Sequence, residues 1–192
     1  MAEEPITRTW RGGVFIGVSL DGYIARPDSD IEWLTDPPSH IEHERVVSDR
    51  PALDWSAFIA DIDHLVMGRG TYEKVLTFDH WPYADLQVVV LSTTLSSTAD
   101  ERITVARSVE EATKLLSENQ ARGVYVDGGK VIQAFLRSGL IDEITIGIAP
   151  VLIGNGIPVF GELPGDIRLR LRAAHASEGG MTHATYDVVR AL

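Results

Sequence analysis

The chain contains no cysteine, which excludes disulfide frameworks, thiolate zinc sites and a cysteine nucleophile together. No apolar run approaches the roughly 18 residues of a membrane-spanning helix. Basic residues are scarce: 17 Lys and Arg stand against 28 Asp and Glu, for a formal net charge of −11. That balance opposes a generic role on nucleic acid or an anionic membrane, so any anion recognised here is small and is met by local groups. The start, Met1-Ala2-Glu3-Glu4-Pro5, carries acid where a secretory signal carries base, and a soluble cytoplasmic protein is expected. The dinucleotide fingerprint G-x-G-x-x-G after a first strand is also missing. Gly12-Gly13 precedes the first apolar run, Gly68-Arg69-Gly70 lacks a third glycine, and Gly154-Asn155-Gly156 opens no helical pattern.

What is present is a hydrophobic fraction of 44% in 192 residues, enough for the core of one domain spanning residues 1–192. Apolar β-branched runs at 14–18, 65–67, 86–91 and 124–126 read as strands, with helical patterns at 55–62 and 70–78 between them. Ser108-Val109-Glu110-Glu111 fits a capping box before Ala112, Leu115 and Leu116, which share one helical face. Val131, Ile132, Phe135 and Leu136 line a further helix that Gly139 can close. Residues 141–151, 168–173 and 182–189 read as strands with no helix between them. The pattern predicts a layered α/β domain with a largely parallel sheet that ends antiparallel. In Arg168-Leu169-Arg170-Leu171-Arg172, strand periodicity puts arginines on one face and leucines on the other, as in a half-exposed strand. Residues 28–51, rich in Pro, Ser and charge, form the longest irregular stretch.

Three turns follow apolar strands: Gly68-Arg69-Gly70-Thr71, Ser92-Thr93-Thr94 and Gly128-Gly129-Lys130. A strand that ends in glycine or hydroxyl residues and enters a helix offers free N–H groups and a dipole to an anion. Three of them suggest a ligand with several phosphates. Other constellations are weaker. His40, His43 and Glu44 have helical spacing but sit in a polar stretch without H-E-x-x-H, so a solvated helix is expected and no metal site. Gly17-Val18-Ser19-Leu20-Asp21 lacks the second glycine of a nucleophile elbow.

Five segments in order resemble the dihydrofolate reductases. They are Phe15 through Ala25 with its Ser19-Leu20-Asp21-Gly22 core, Val66-Met67-Gly68-Arg69-Gly70-Thr71-Tyr72-Glu73, Leu91-Ser92-Thr93, Ser108-Val109-Glu110-Glu111-Ala112, and Asp127-Gly128-Gly129-Lys130-Val131. The Ser-Leu-Asp-Gly opening and Pro150-Val151-Leu152-Ile153-Gly154-Asn155-Gly156 are more similar to the reductase domain of the bacterial riboflavin-biosynthesis enzyme and its stand-alone relatives. The resemblance implies a dihydrofolate-reductase-like three-layer αβα sandwich with a mixed, mostly parallel central sheet. It also implies an NADPH-dependent reductase acting on a small heterocyclic or carbonyl substrate. By the same resemblance, Gly68, Arg69 and Thr71 hold phosphates at the adenosine end, with Leu91, Ser92 and Thr93 near the 2′-phosphate. Gly128, Gly129, Lys130 and Val131 cradle the pyrophosphate, and Gly17, Ile24 and Ala25 line the nicotinamide pocket. The proton donor is expected at Asp54, ahead of the Trp55 helix, or at Asp36; an N-cap is the alternative role for Asp54. The zinc deaminase domain of the full riboflavin enzyme needs cysteine ligands that this chain lacks. Two alternatives stay open: a riboflavin-pathway reductase of a ribosylamino-pyrimidine phosphate, with Arg26, Arg45 and Arg50 as cations, and a non-catalytic NADP(H)-binding protein. Relatives pair through the late strands, so a homodimer is expected.

Overall fold

A computed structural model describes residues 8–36, 50–98 and 100–189. Its centre is an eight-stranded sheet of β1 (Arg11–Ser19), β3 (His64–Gly68), β4 (Gln87–Leu91), β5 (Ile103–Ala106), β6 (Gly123–Asp127), β7 (Glu143–Ala149), β9 (Arg168–Ala176) and β10 (Thr182–Val189). The order is β5-β4-β3-β6-β1-β7-β10-β9. The first six run parallel, while β10 pairs antiparallel with both β7 and β9. Two short strands, β2 (Tyr23–Ala25) and β8 (Ile157–Pro158), pair apart from it.

The helices are α1 (Glu32–Thr35), α2 (Trp55–Ile59), α3 (Arg69–Val75), α4 (Val109–Glu118) and α5 (Gly129–Arg137). Ser108 caps α4 by accepting the Glu111 amide at 3.1 Å, and the Glu111 carboxylate reaches back one residue further than a capping box requires, to the Arg107 amide at 2.6 Å. α5 ends in a Schellman motif, with Leu140 N–H on the Phe135 carbonyl and Gly139 N–H on that of Leu136.

Alternation along the strands sorts the core into two halves. Val14, Ile16 and Val18 of β1 meet Ala112 and Leu116 of α4 and Val131, Ile132, Phe135 and Leu136 of α5 on one face. Leu65, Met67, Val88, Val90 and Tyr125 meet Phe58 of α2 and Tyr72 of α3 on the other. The result is a three-layer αβα sandwich whose mixed sheet is mostly parallel, and central strands buried on both faces explain their continuous apolar runs.

The short elements β2, β5, β8 and α1 carry too few periodic residues to stand out in sequence. The reading of 168–172 as a half-exposed strand is corrected. Residues 168–172 are all exposed, Leu169 at 44% and Leu171 at 57%, because β9 is the edge strand and no helix among the described residues covers it there. Arg170 and Arg172 instead tie back to Asp187 of β10. His40, His43, Glu44 and Arg45 lie outside the described residues.

Candidate active site

Strands β3 and β6 are neighbours, yet the chain leaves β3 through α3 towards β4 and leaves β6 through α5 towards β7, on the far side of β1. Their carboxyl ends therefore flank a topological switch point, where open α/β sheets form their ligand crevice. Two glycine turns meet there. Gly128, the N-cap of α5, has φ +87, and a Cβ on it would overlap the Thr71 hydroxyl of α3. Only glycine satisfies both conditions. Gly68, the N-cap of α3, faces Val131 of α5, where an added Cβ would stand 3.3 Å away. Val131 is buried and packs in the core, while Lys130 is exposed on the first turn of α5. The amides of Gly129 and Lys130, the first two of α5, have no acceptor within the helix and suit an anion, whereas that of Val131 already donates to the Gly128 carbonyl. Gly129 has a second constraint, since a Cβ on it would overlap the Pro158 carbonyl of β8. Its missing side chain admits a strand of this protein, where the sequence reading had assigned the space to phosphate.

Beside α3, the Arg69 guanidinium bonds Glu73 at 2.6 Å and the Thr94 hydroxyl at 2.9 Å, while its side chain stays half exposed. Arg107 reaches the same loop from the end of β5, donating to the carbonyls of Ser92 at 2.7 Å and Leu95 at 2.6 Å. Two arginines, one opening α3 and one following β5, thus converge on the loop after β4. Thr93 is exposed on that loop, and Leu91 packs against the core at its base. Ser92 is buried, and its hydroxyl accepts the amides of Thr94 and Leu95 at 3.3 and 3.1 Å. It shapes the loop that the sequence reading had placed near the 2′-phosphate.

On the α2 side of the crevice lies Asp127, the last residue of β6. Its Oδ1 accepts the Gly128 amide at 2.8 Å. Removal from solvent pushes its carboxyl up to about 6, against the opposing pull of the Gly128 amide and the Tyr125 hydroxyl. Tyr125 is two residues back on the same face and is held far above its ordinary value by burial and then by the Asp127 charge. Tyr83 is raised for the same two reasons, which brings a second phenol into the field of this carboxyl. An aromatic cluster backs the group: Phe15 meets Trp55 at 5.4 Å and Phe58 at 5.3 Å between ring centroids, and Trp55 meets Tyr125 at 5.6 Å. Trp55 remains 41% exposed, so it presents apolar ring surface to solvent. Gly17 of β1 is half exposed beneath Leu34 of α1, with an added Cβ 2.8 Å from that side chain.

Asp54 is exposed and accepts the Ala57 amide at 2.7 Å as the N-cap of α2. The segment before it is pinned to the sheet by Ala52 N–H on His175 Nδ1 and Leu53 N–H on the Thr185 hydroxyl, both at 3.0 Å. Asp36 is the exposed C-cap of α1. Neither carboxyl shares the enclosed surroundings of Asp127.

The rim opposite is built by Ser19-Leu20-Asp21-Gly22. The Ser19 hydroxyl donates to Asp21 at 2.6 Å and accepts the Tyr23 amide at 3.1 Å, while Asp21 accepts the amides of Gly154 at 2.7 Å and Ile153 at 3.3 Å. The Ser19 hydroxyl, followed by these amides, holds the Asp21 carboxyl below its ordinary range. Ile24 comes against Gly129, and Ala25 is buried and pairs with Ile157 of β8.

Residues 13–182 match the RibD C-terminal domain family. The chain belongs to that family. This RibD C-terminal domain is 33% identical over 163 residues to the uncharacterized protein YwjB of Bacillus subtilis strain 168, covering 83% of this chain and 87% of YwjB. Among solved structures it is similar to a Shewanella sp. PV-4 protein assigned to riboflavin biosynthesis, with TM-score 0.78, 32% identity and 94% and 99% of the two chains covered. The Thermotoga maritima diaminohydroxyphosphoribosylaminopyrimidine deaminase/5-amino-6-(5-phosphoribosylamino)uracil reductase shares the fold at TM-score 0.66 and 16% identity, over 94% of this chain and 57% of that one. So does a dihydrofolate reductase of Enterococcus faecalis complexed with NADP(H), at TM-score 0.66 and 16% identity over 95% and 98%. The fold of this RibD C-terminal domain is therefore dihydrofolate-reductase-like.

Sequence reasoning passed over Arg107, Tyr83 and Asp127 as site residues of this domain. Arg107 and Tyr83 belong to none of the motifs that mark the cofactor site. Asp127 did carry a signal, because an acid ending the apolar run Val124-Tyr125-Val126 of a central strand points into the crevice.

Proposed function

We propose that this protein is an NADPH-dependent reductase that delivers hydride to a small planar heterocyclic or carbonyl substrate, working in the cytoplasm. One observation carries the reading: a carboxyl that stays protonated to about pH 6 ends the strand beside two converging helix N-termini. Reduction of a C=N or C=O bond needs a proton as well as a hydride, and a carboxyl raised towards neutrality is suited to hold one. Because Asp127 Oδ1 accepts the Gly128 amide, Oδ2 is the oxygen left to carry that proton.

The residues present fit the cofactor. Arg69, Thr93, Thr94 and Arg107 would meet the adenosine 2′-phosphate, guanidinium groups being matched to phosphate oxygens. The first two amides of α5, with Thr71 and Lys130 beside them, would meet the pyrophosphate. Ile24 and Gly17 would border the nicotinamide. When bound, NADPH supplies the hydride. Trp55 and Phe15 offer a ring-sized apolar wall for the substrate, and Leu34 excludes water above Gly17. A pyrimidine-like substrate is favoured by the riboflavin-biosynthesis and uracil-reductase assignments of the Shewanella and Thermotoga proteins.

Purified protein should oxidise NADPH faster than NADH in the presence of an aminopyrimidine, a dihydropteridine or a small dicarbonyl compound. Tight NADPH binding without oxidation by any of them would favour the non-catalytic binding protein. We also infer a homodimer through β9, where Leu169 and Leu171 expose apolar side chains from one face of the sheet edge. Leu171→Glu should halve the mass measured by light scattering, and an unchanged mass would refute pairing there.

A further inference from the structure

The β2–β8 pair has only three and two residues in its strands, and a two-stranded unit of that size is marginal by itself. It nevertheless covers the start of α5, with the Pro158 carbonyl seated where Gly129 lacks a side chain and Ile24 packed alongside. One end of β8 is fastened to α5 by the Gln133 amide, which donates to the Pro158 carbonyl at 3.2 Å. The other end is fastened by Asp21. Its Oδ2 accepts the Gly154 amide at 2.7 Å and its Oδ1 the Ile153 amide at 3.3 Å, across 132–133 residues of chain. Ser19, fully buried, orients the carboxylate with its hydroxyl at 2.6 Å. Backbone bonds from Leu20 to the Val151 carbonyl and from Val159 to that of Gly22 complete the join.

We propose that Asp21 is a positioning residue: by clamping the 150–156 loop to the β1–β2 turn it holds β8 over the first turn of α5 and so sets the affinity for the cofactor pyrophosphate. The inference rests on the NADPH reading only for the identity of the ligand. Both bonds from Asp21 are accepted by a charged group, and such bonds are roughly twice as strong as neutral ones. Asparagine has the same shape but one acceptor oxygen, and its amide nitrogen would face an N–H donor. Asp21→Asn therefore weakens the clamp without opening a cavity.

The test compares the full chain with Asp21→Asn and Asp21→Ala by amide hydrogen exchange without cofactor, by NADPH titration, and by steady-state kinetics. In the variants, exchange at the bonded amides of Ile153, Gly154 and Val159 and of Val131 and Ile132 should quicken by about tenfold, the equivalent of one hydrogen bond, while α4 and the central strands exchange as before. The NADPH dissociation constant and KM should rise by a similar factor, about tenfold, with kcat at saturating NADPH within about twofold. Three results would overturn the proposal: unchanged exchange at both segments, faster exchange with unaltered NADPH affinity, or a uniform rise in exchange across the sheet, which would make Asp21 a general stabiliser. Wild-type protein that binds no NADPH would refute the cofactor reading instead, and the exchange comparison would still decide whether Asp21 holds the flap.

Discussion

Asp127→Asn tests whether the carboxyl at the end of β6 exchanges stability for chemistry. Asparagine keeps the shape and retains an oxygen for the Gly128 amide, which Oδ1 accepts at 2.8 Å. It removes the charge that burial penalises. The folded carboxyl ionises near 6, against 3.8 for the ordinary group. Between these limits the unfolded chain has released its proton and the folded one has not, so wild-type stability falls as pH rises through the window and stays reduced above it. The shift caps the effect at about 3 kcal/mol, and the group's partial access to water brings the expectation to about 1–2 kcal/mol. Asp127→Asn should therefore melt above wild type by about 2–8 °C at pH 8, at about 2–4 °C per kcal/mol for a chain of this size. The advantage should shrink towards zero near pH 4. Turnover should move the opposite way, falling by about 10²–10⁴-fold because the amide has no proton to give. Scanning calorimetry across pH and steady-state NADPH oxidation read the two arms. A variant that melts lower than wild type at pH 8, or one shifted equally at pH 4 and pH 8, would refute the burial argument. Full turnover in a folded variant would remove Asp127 from proton delivery.

The remaining predictions concern the groups around it. Gly129→Val should destabilise the fold by about 1–3 kcal/mol as an overpacking change, since its side chain meets the Pro158 carbonyl; unchanged melting with lost NADPH affinity would restore the space to phosphate. Arg107→Gln should lower NADPH affinity about tenfold or more while changing NADH affinity little, as loss of one charge-assisted contact requires; equal losses would move Arg107 from the 2′-phosphate to loop support. Asp54→Ala should cost about 1 kcal/mol of stability and Asp54→Asn almost nothing, both with turnover intact. A turnover loss of about 10²-fold in Asp54→Asn at unchanged stability would assign the proton to Asp54 after all.

The layers of the fold were legible because burial imposes its pattern on sequence. Leu65-Val66-Met67 and Val88-Val89-Val90 are buried on both faces in the structure, and a strand enclosed by helices on both sides has no position for a polar residue. The elements that escaped are those whose order comes from elsewhere. β8 consists of Ile157 and Pro158, and it is a strand only because β2 pairs with it and Gln133 and Asp21 fasten its ends. The edge strand β9 misled for the opposite reason. Its alternation of arginine and leucine implies a buried face, but among the described residues no layer covers that part of the sheet.

The site was legible to the level of its turns and no further, and Gly128-Gly129 explains why. In sequence the two glycines are equivalent members of one phosphate-binding pattern. In the fold, Gly128 is required by a backbone at φ +87 pressed against Thr71, whereas Gly129 is required by the carbonyl of a strand 29 residues downstream in the chain's own cover. The pairing of α3 with α5, the cover and the loop beside Arg69 are non-local contacts, so local spacing carries no trace of which side chain faces a ligand and which faces the protein. The same holds for the carboxyls. Asp54 and Asp127 both end or begin an element, yet one caps a helix in solvent and the other ends a central strand whose flanking strands and aromatic rings leave it only partial access to water. Proton chemistry follows the second environment, because an acid in solvent is ionised at neutral pH and has little to donate.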